Sequence, residues 1–172
     1  RYAKSQKAVS DNEQNLAELT RQLVKAQEVN DQLKYGSLIV EMKKLQLQNE
    51  EILLLQNEQR KRVKYFQGGN LYKLLQQASE NDVILITEKD WEEVWKAIDW
   101  MYPSFNKHLS DVFPGLPIQT RQLCWLTKIG IKPIGIARIL KRSRQAISNT
   151  RTKLNGIIAD SSLPDTNFDD FI

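Results

Sequence analysis

The chain has 172 residues, 41% of them hydrophobic, one cysteine, one histidine and a formal net charge of +4. That length and composition suffice for one modest core plus an extended element. The lone Cys124 excludes an internal disulfide and a cysteine-based zinc site, and no run of about 18 apolar residues is present to span a membrane.

The small net charge hides segregation. Leu116 to Ile158 carries nine basic residues and no acidic one, whereas the sequence before it is close to neutral and the tail from Ala159 holds Asp160, Asp165, Asp169 and Asp170. A polyanion is the natural partner of such a stretch. No signal peptide is visible at Arg1, and the absence of an initiator Met fits a fragment or a processed product.

Residues 1–66 are expected to form a coiled coil. From about Ser10 to Phe66 there is no proline, and leucine recurs at helical spacing among Gln, Glu, Lys and Asn. In the first half, Leu16, Leu23 and Asn30 fit one seam position and Leu19, Ala26 and Leu33 the other. In the second half, Met42 and Asn49 fit one, and Leu38, Leu45 and Ile52 the other. The two registers are out of phase at Tyr35-Gly36-Ser37. A continuous helix of this length would be about 85 Å long and too polar to stand alone. A parallel homodimer is the simplest partner arrangement, with Asn30 and Asn49 pairing across it to set register. The dimerisation residues are then Leu16, Leu19, Leu23, Leu33, Leu38, Met42, Leu45, Asn49 and Ile52. A hairpin folding back at Gly36 is the alternative.

Residues 67–86 read as a linker with a short helix. Gln67-Gly68-Gly69-Asn70 is the clearest break. A helix from Leu71 to Ala78 follows, then turn residues Ser79-Glu80-Asn81-Asp82. Val83-Ile84-Leu85-Ile86 is either a short strand or a buried connector.

Residues 87–158 are expected to form a helical domain. Thr87-Glu88-Lys89-Asp90 caps a helix whose Trp91, Val94, Trp95, Ile98 and Tyr102 recur at three- and four-residue spacing, the mark of a core stripe. Pro103 ends it, and a further helix runs from Ser104 to Pro114-Gly115. His108, alone on a polar face, is assigned no function.

The segment 117–156 reads as a helix-turn-helix. Pro117 to Ile129 is a helix with Leu123, Leu126, Trp125 and Ile129 inward and Gly130 as C-cap. Lys132-Pro133 starts the next helix, with Ile136, Ala137 and Leu140 inward. Ser143 caps a third helix, with Ile147 and Leu154 seven apart on its buried face. Arg144, Gln145, Ser148, Asn149 and Thr152 are then candidates for reading DNA base edges, since Arg suits guanine and Gln or Asn suits adenine. Lys128, Lys132, Arg138, Lys141, Arg142, Arg151 and Lys153 are candidates for phosphate contact. The acidic tail 159–172 reads as a solvated terminus, or as a mask over the basic face.

The run Gly130, Ile136-Ala137, Leu140, Ser143, Ile147, Asn149, Arg151, Leu154 resembles the C-terminal helix-turn-helix of LuxR-type transcription regulators and region 4 of sigma factors. The wider arrangement is similar to a bacterial family of regulators: Trp91, Tyr102-Pro103-x-Phe105, Leu109, Pro114-Gly115-Leu116, Cys124-x-Leu126-x-Lys128-x-Gly130 and Gln145-Ala146-Ile147-Ser148-Asn149-x-Arg151. In that family a coiled coil precedes this domain, often with tetratricopeptide repeats and a membrane span further upstream. The likeness covers residues 71–158, and the coiled coil only by type. It implies a cytoplasmic DNA-binding domain and allows a membrane tether. Gly135 departs from the pattern, where LuxR-type helices often carry Glu, and so does Pro133.

The expectation is therefore an all-α protein, a long coiled-coil helix followed by a small helical domain, acting as a transcriptional regulator on double-stranded DNA as a homodimer. The alternative is a coiled-coil scaffold whose basic domain docks an acidic protein. No cofactor, metal or catalytic residue is expected: no histidine pair, nucleophile elbow, glycine-rich phosphate loop or acidic metal cluster is present.

Overall fold

The computed structural model describes residues 2–28, 32–160 and 168–172, and those residues form nine helices with no strand. The all-α expectation holds. The chain divides into two compact units, 1–60 and 61–172.

The first unit pairs α1 (Tyr2–Glu28) with the first part of α2 (Gln32–Gly68). The continuous coiled-coil helix is thus interrupted, and residues 29–31, Asn30 among them, lie outside the described residues. Leu19, Ala26 and Leu38 are buried together, with Leu23, Tyr35, Met42 and Leu45 packed against them. Further from the break, Asn12 Nδ2 donates to Asn49 Oδ1 at 2.8 Å. Residues 37 apart meet at one end and residues 12 apart at the other, so the helices run antiparallel. Most of the expected seam positions are buried or half-buried, and they pack within the chain itself. Asn49 pairs with Asn12 of the same chain, as polar seam residues do to set register. Three corrections follow. Seam packing here is intrachain, as in the hairpin alternative and not as in the parallel dimer expected first. Gly36 sits inside α2 and is not the fold-back point. Leu33 is exposed and does not belong to the seam. Heptad spacing specifies an apolar stripe but not which helix covers it, which explains the ambiguity.

The second unit has its own core. Gly69 joins α2 directly to α3 (Asn70–Glu80), its N–H bonded to the Phe66 carbonyl at 2.9 Å. Leu75 and Ala78 of α3 are buried, so the segment expected as linker plus short helix supplies a core element. Val83 to Ile86 is neither strand nor buried connector. It is irregular, with Val83 and Leu85 exposed and Ile84 and Ile86 laid on the core.

Helix α4 (Glu88–Met101) begins with a capping box. Asp90 N–H donates to Thr87 Oγ1, and Thr87 N–H to Asp90 Oδ2. The Thr87 hydroxyl and backbone bonds hold the Asp90 carboxyl below its ordinary pKa. Val94, Ile98 and Met101 are buried and Trp91 lies 6.5 Å from the Trp125 ring, whereas Trp95 and Trp100 face outward. The aromatic stripe is therefore core on one side only. On the other side Trp100 is edge-on to Tyr65, and its carbonyl accepts from Arg62 at 3.0 Å.

Helix α5 (Phe105–Val112) follows Ser104, which takes a left-handed conformation at φ 70°. Its Asn106 Oδ1 accepts from Trp125 Nε1 at 2.8 Å, satisfying a buried indole. No helix among the described residues is long and apolar enough to cross a membrane.

Candidate DNA-reading helix and its supports

Three helices build the candidate site: α6 (Ile118–Ile129), α7 (Pro133–Ile139) and α8 (Arg144–Ala159). α6 is the buried pillar, with Leu123, Cys124, Trp125, Leu126 and Ile129 all inside. Burial pushes the Cys124 thiol up to about 12, so it stays protonated and inert. Gly130 ends α6 at φ 95°, and Ile131 N–H reaches back to the Leu126 carbonyl at 2.9 Å, closing a Schellman turn.

Pro133 opens α7, where its missing N–H costs nothing. Its departure from the regulator pattern therefore has a benign local reason. Gly135 has a tertiary one: a Cβ built there would lie 2.6 Å from Ser79 Cβ of α3. The small residue lets α3 and α7 approach at that point, and a glutamate would not fit. Ile136, Ala137 and Ile139 are buried beside it.

The α7–α8 turn uses a non-glycine residue. Lys141 adopts φ 52°, and Arg142 N–H bonds the Ala137 carbonyl at 2.9 Å. Ser143 then caps α8, its Oγ accepting from Ala146 N–H at 3.1 Å. Ile147, Leu154 and Ile158 anchor the inner face.

The outer face of α8 carries all five base-reading candidates. Arg144, Gln145, Ser148, Asn149 and Thr152 are exposed and share one side of the helix. Gln145 Nε2 donates to Asn149 Oδ1 at 2.8 Å, orienting two amides toward solvent as a unit. Thr152 Oγ1 donates to the Ser148 carbonyl at 3.1 Å. An open groove separates this face from the start of α7, lined by Pro133, Ile134, Arg144, Ser148, Arg151 and Thr152.

The phosphate candidates divide sharply. Arg138 donates to the Ser79 carbonyl at 3.0 Å and stands 4.0 Å from the Asp82 carboxylate, tying α7 to α3. Lys141 bonds the Asp82 carbonyl. Arg151 pairs with Asp169 and covers the Phe168 ring. Lys128 lies 4.6 Å above the Tyr102 ring and bonds the Ile172 backbone oxygen. These four are structural ties in the free protein. The exposed Lys132 and Lys153 and the half-buried Arg142 are the three candidates outside these ties, with the exposed Arg144 beside them.

The tail is the other correction. The described part, Asp160 and 168–172, includes the short helix α9 (Phe168–Phe171) docked on the domain, not a solvated end. Phe168, Phe171 and Ile172 are buried. Phe168 N–H donates to Asn155 Oδ1 at 2.6 Å, and Phe171 meets His108 face to face at 5.1 Å. His108, given no function from sequence, thus has a packing role. Asp169 takes one base, Arg151. Residues 161–167, with Asp165, lie outside the described residues. The signal that could have revealed α9 was Phe168 and Phe171 at i, i+3 followed by Ile172, an apolar triad among the acids.

Among the described residues no group of three or more His, Cys, Asp or Glu side chains could hold a metal ion. No protein-family model, curated protein or solved structure matches the chain.

Proposed function

We propose that the chain is a DNA-binding transcriptional regulator that inserts α8 into the major groove and is supported there by α6 and α7. The observation that carries this reading is the outer face of α8. Five side chains of the types that read base edges stand exposed on one side of a Ser143-capped helix whose inner side is locked by Ile147, Leu154 and Ile158. On a rigid helix the backbone is ordered before binding, so contact with base edges costs side-chain freedom only.

In this mechanism Arg144 and the joined Gln145–Asn149 pair read bases. Lys132, Arg142 and Lys153 neutralise phosphates on either side, Lys132 from the N-cap of α7. With three to four such contacts, log–log salt dependence has a slope of roughly −3 to −4 at about −0.9 per phosphate. A cytoplasmic location belongs to the same proposal, because the partner is DNA.

Selection of bound fragments from random DNA tests the reading. Arg144→Ala and Asn149→Ala should weaken binding to the selected site more than to random DNA. Equal losses on both would remove the base-reading assignment. Absence of retention even at low salt would favour a scaffold whose basic domain docks an acidic protein.

A further inference from the structure

We propose that α2 carries, on the side opposite its hairpin seam, a second interface that pairs with α2 of another copy of this chain in antiparallel orientation. The seam toward α1 uses Tyr35, Leu38, Met42, Leu45, Asn49 and Ile52, all buried or half-buried. Two positions before Tyr35, Met42 and Asn49, and two after Ile52, the chain places Leu33, Val40, Leu47 and Leu54. At about 100° per residue these lie roughly 200° round the helix. They are 90%, 69%, 65% and 65% exposed. Four large apolar residues at strict seven-residue intervals form an exposed apolar line along one side of α2, one residue every two turns.

The flanking charges identify the occupant and its direction. Between Val40 and Leu47 stand Lys43 and Lys44; between Leu47 and Leu54 stand Glu50 and Glu51. A second α2 laid antiparallel with Leu47 on the twofold axis puts Val40 opposite Leu54. The same register puts Lys43 opposite Glu51 and Lys44 opposite Glu50. Val40, Leu47 and Leu54 and the four flanking charges are therefore complementary under one symmetry operation, as an isologous interface requires, while Leu33 falls opposite Lys61 at the margin. In a parallel, in-register pair each lysine would face a lysine and each glutamate a glutamate, which is destabilising. Two hairpins joined this way make a four-helix layer.

This arrangement differs from a parallel coiled coil in its consequence. From Leu47, α2 continues 13 residues to Arg60, so the two Arg60 ends point in opposite directions and lie roughly 40 Å apart at about 1.5 Å per residue. The interface stands whether or not α8 reads DNA.

Sedimentation velocity of the full chain over a dilution series is the test. The expected species is a reversible dimer of twice 20.0 kDa. Leu47→Glu should give monomer with unchanged helical circular dichroism, because the α1 seam is untouched. Lys43→Glu with Lys44→Glu should weaken the dimer, and adding Glu50→Lys with Glu51→Lys in the same chain should restore it. This rescue decides the matter even if Leu47→Glu perturbs folding. Chains carrying Val40→Cys should cross-link to chains carrying Leu54→Cys but not to each other. A monomeric wild type, a dimer indifferent to Leu47→Glu, a charge swap without rescue, or self-cross-linking of Val40→Cys would each overturn the proposal.

Discussion

Replacing Gly135 by alanine sets two physical effects against each other. In an open helix the change stabilises by about 1 kcal/mol, through helix propensity. Here the new Cβ would stand 2.6 Å from Ser79 Cβ and 3.1 Å from Ile131 Cγ2. Carbon atoms rest at about 3.5–4.0 Å, so α3 and α7 must separate by about 1 Å. That separation loosens Leu75, Ala78, Ile136 and Ile139, which are buried on these two helices. It also stretches the Arg138 bond to the Ser79 carbonyl. Overpacking of this kind costs about 2–3 kcal/mol, so Gly135→Ala should lose about 1–2 kcal/mol net. Urea unfolding followed by tryptophan fluorescence reads this, because Trp91 and Trp125 report on the same core. Ser79→Gly removes the obstructing Cβ. The double variant should therefore show a coupling of roughly 1–2 kcal/mol in a double-mutant cycle. Gly135→Ala at or above wild-type stability, or additive behaviour with Ser79→Gly, would refute the close-approach argument.

Other outcomes follow from the same geometry. Phe168→Ala should destabilise the second unit by about 3 kcal/mol, as truncation of a buried aromatic does, and thermal melts would show it; a change within error would mean that the tail is not part of the core. Asn12→Ala should cost about 1 kcal/mol by stranding Asn49 in the hairpin seam, while Asn12→Leu with Asn49→Leu should raise hairpin stability; chemical unfolding of the helical signal separates the two. Thr87→Ala should cost about 1 kcal/mol of helix capping at neutral pH. The folded-state pKa of Asp90 is lowered, so the stabilisation it supplies is present above its ordinary carboxylate pKa and lost as pH falls through the lowered value. The Thr87→Ala deficit should therefore shrink in acid, which stability measured at several pH values would show.

Local signals in this chain were legible from sequence, and non-local ones were not. The Thr87 and Ser143 caps, the Gly130 stop and the buried faces of α6 and α8 are written in neighbouring residues, because capping and helical period act within a turn or two. The exposure of Arg144, Gln145, Ser148, Asn149 and Thr152 follows from that register alone. What escaped depends on partners far along the chain. Arg138 and Lys141 resemble phosphate contacts until Ser79 and Asp82 are seen beside them, about 60 residues away in sequence. Gly135 looks like a weak point in a helix until Ser79 is placed against it. The leucine seam gives no sign of whether α1 or another chain fills it, and the apolar residues at the C-terminal end, Phe168, Phe171 and Ile172, are interrupted by Asp169 and Asp170.

The proposed DNA reading rests on the outer face of α8. The most direct measurement is the affinity of the full chain for a fragment selected from random DNA, compared with a scrambled fragment at the same salt. Wild type should prefer the selected site, and Asn149→Ala should lose most of that preference while keeping its affinity for the scrambled one. If wild type binds both fragments equally, or Asn149→Ala lowers both by the same factor, α8 is not a reading helix.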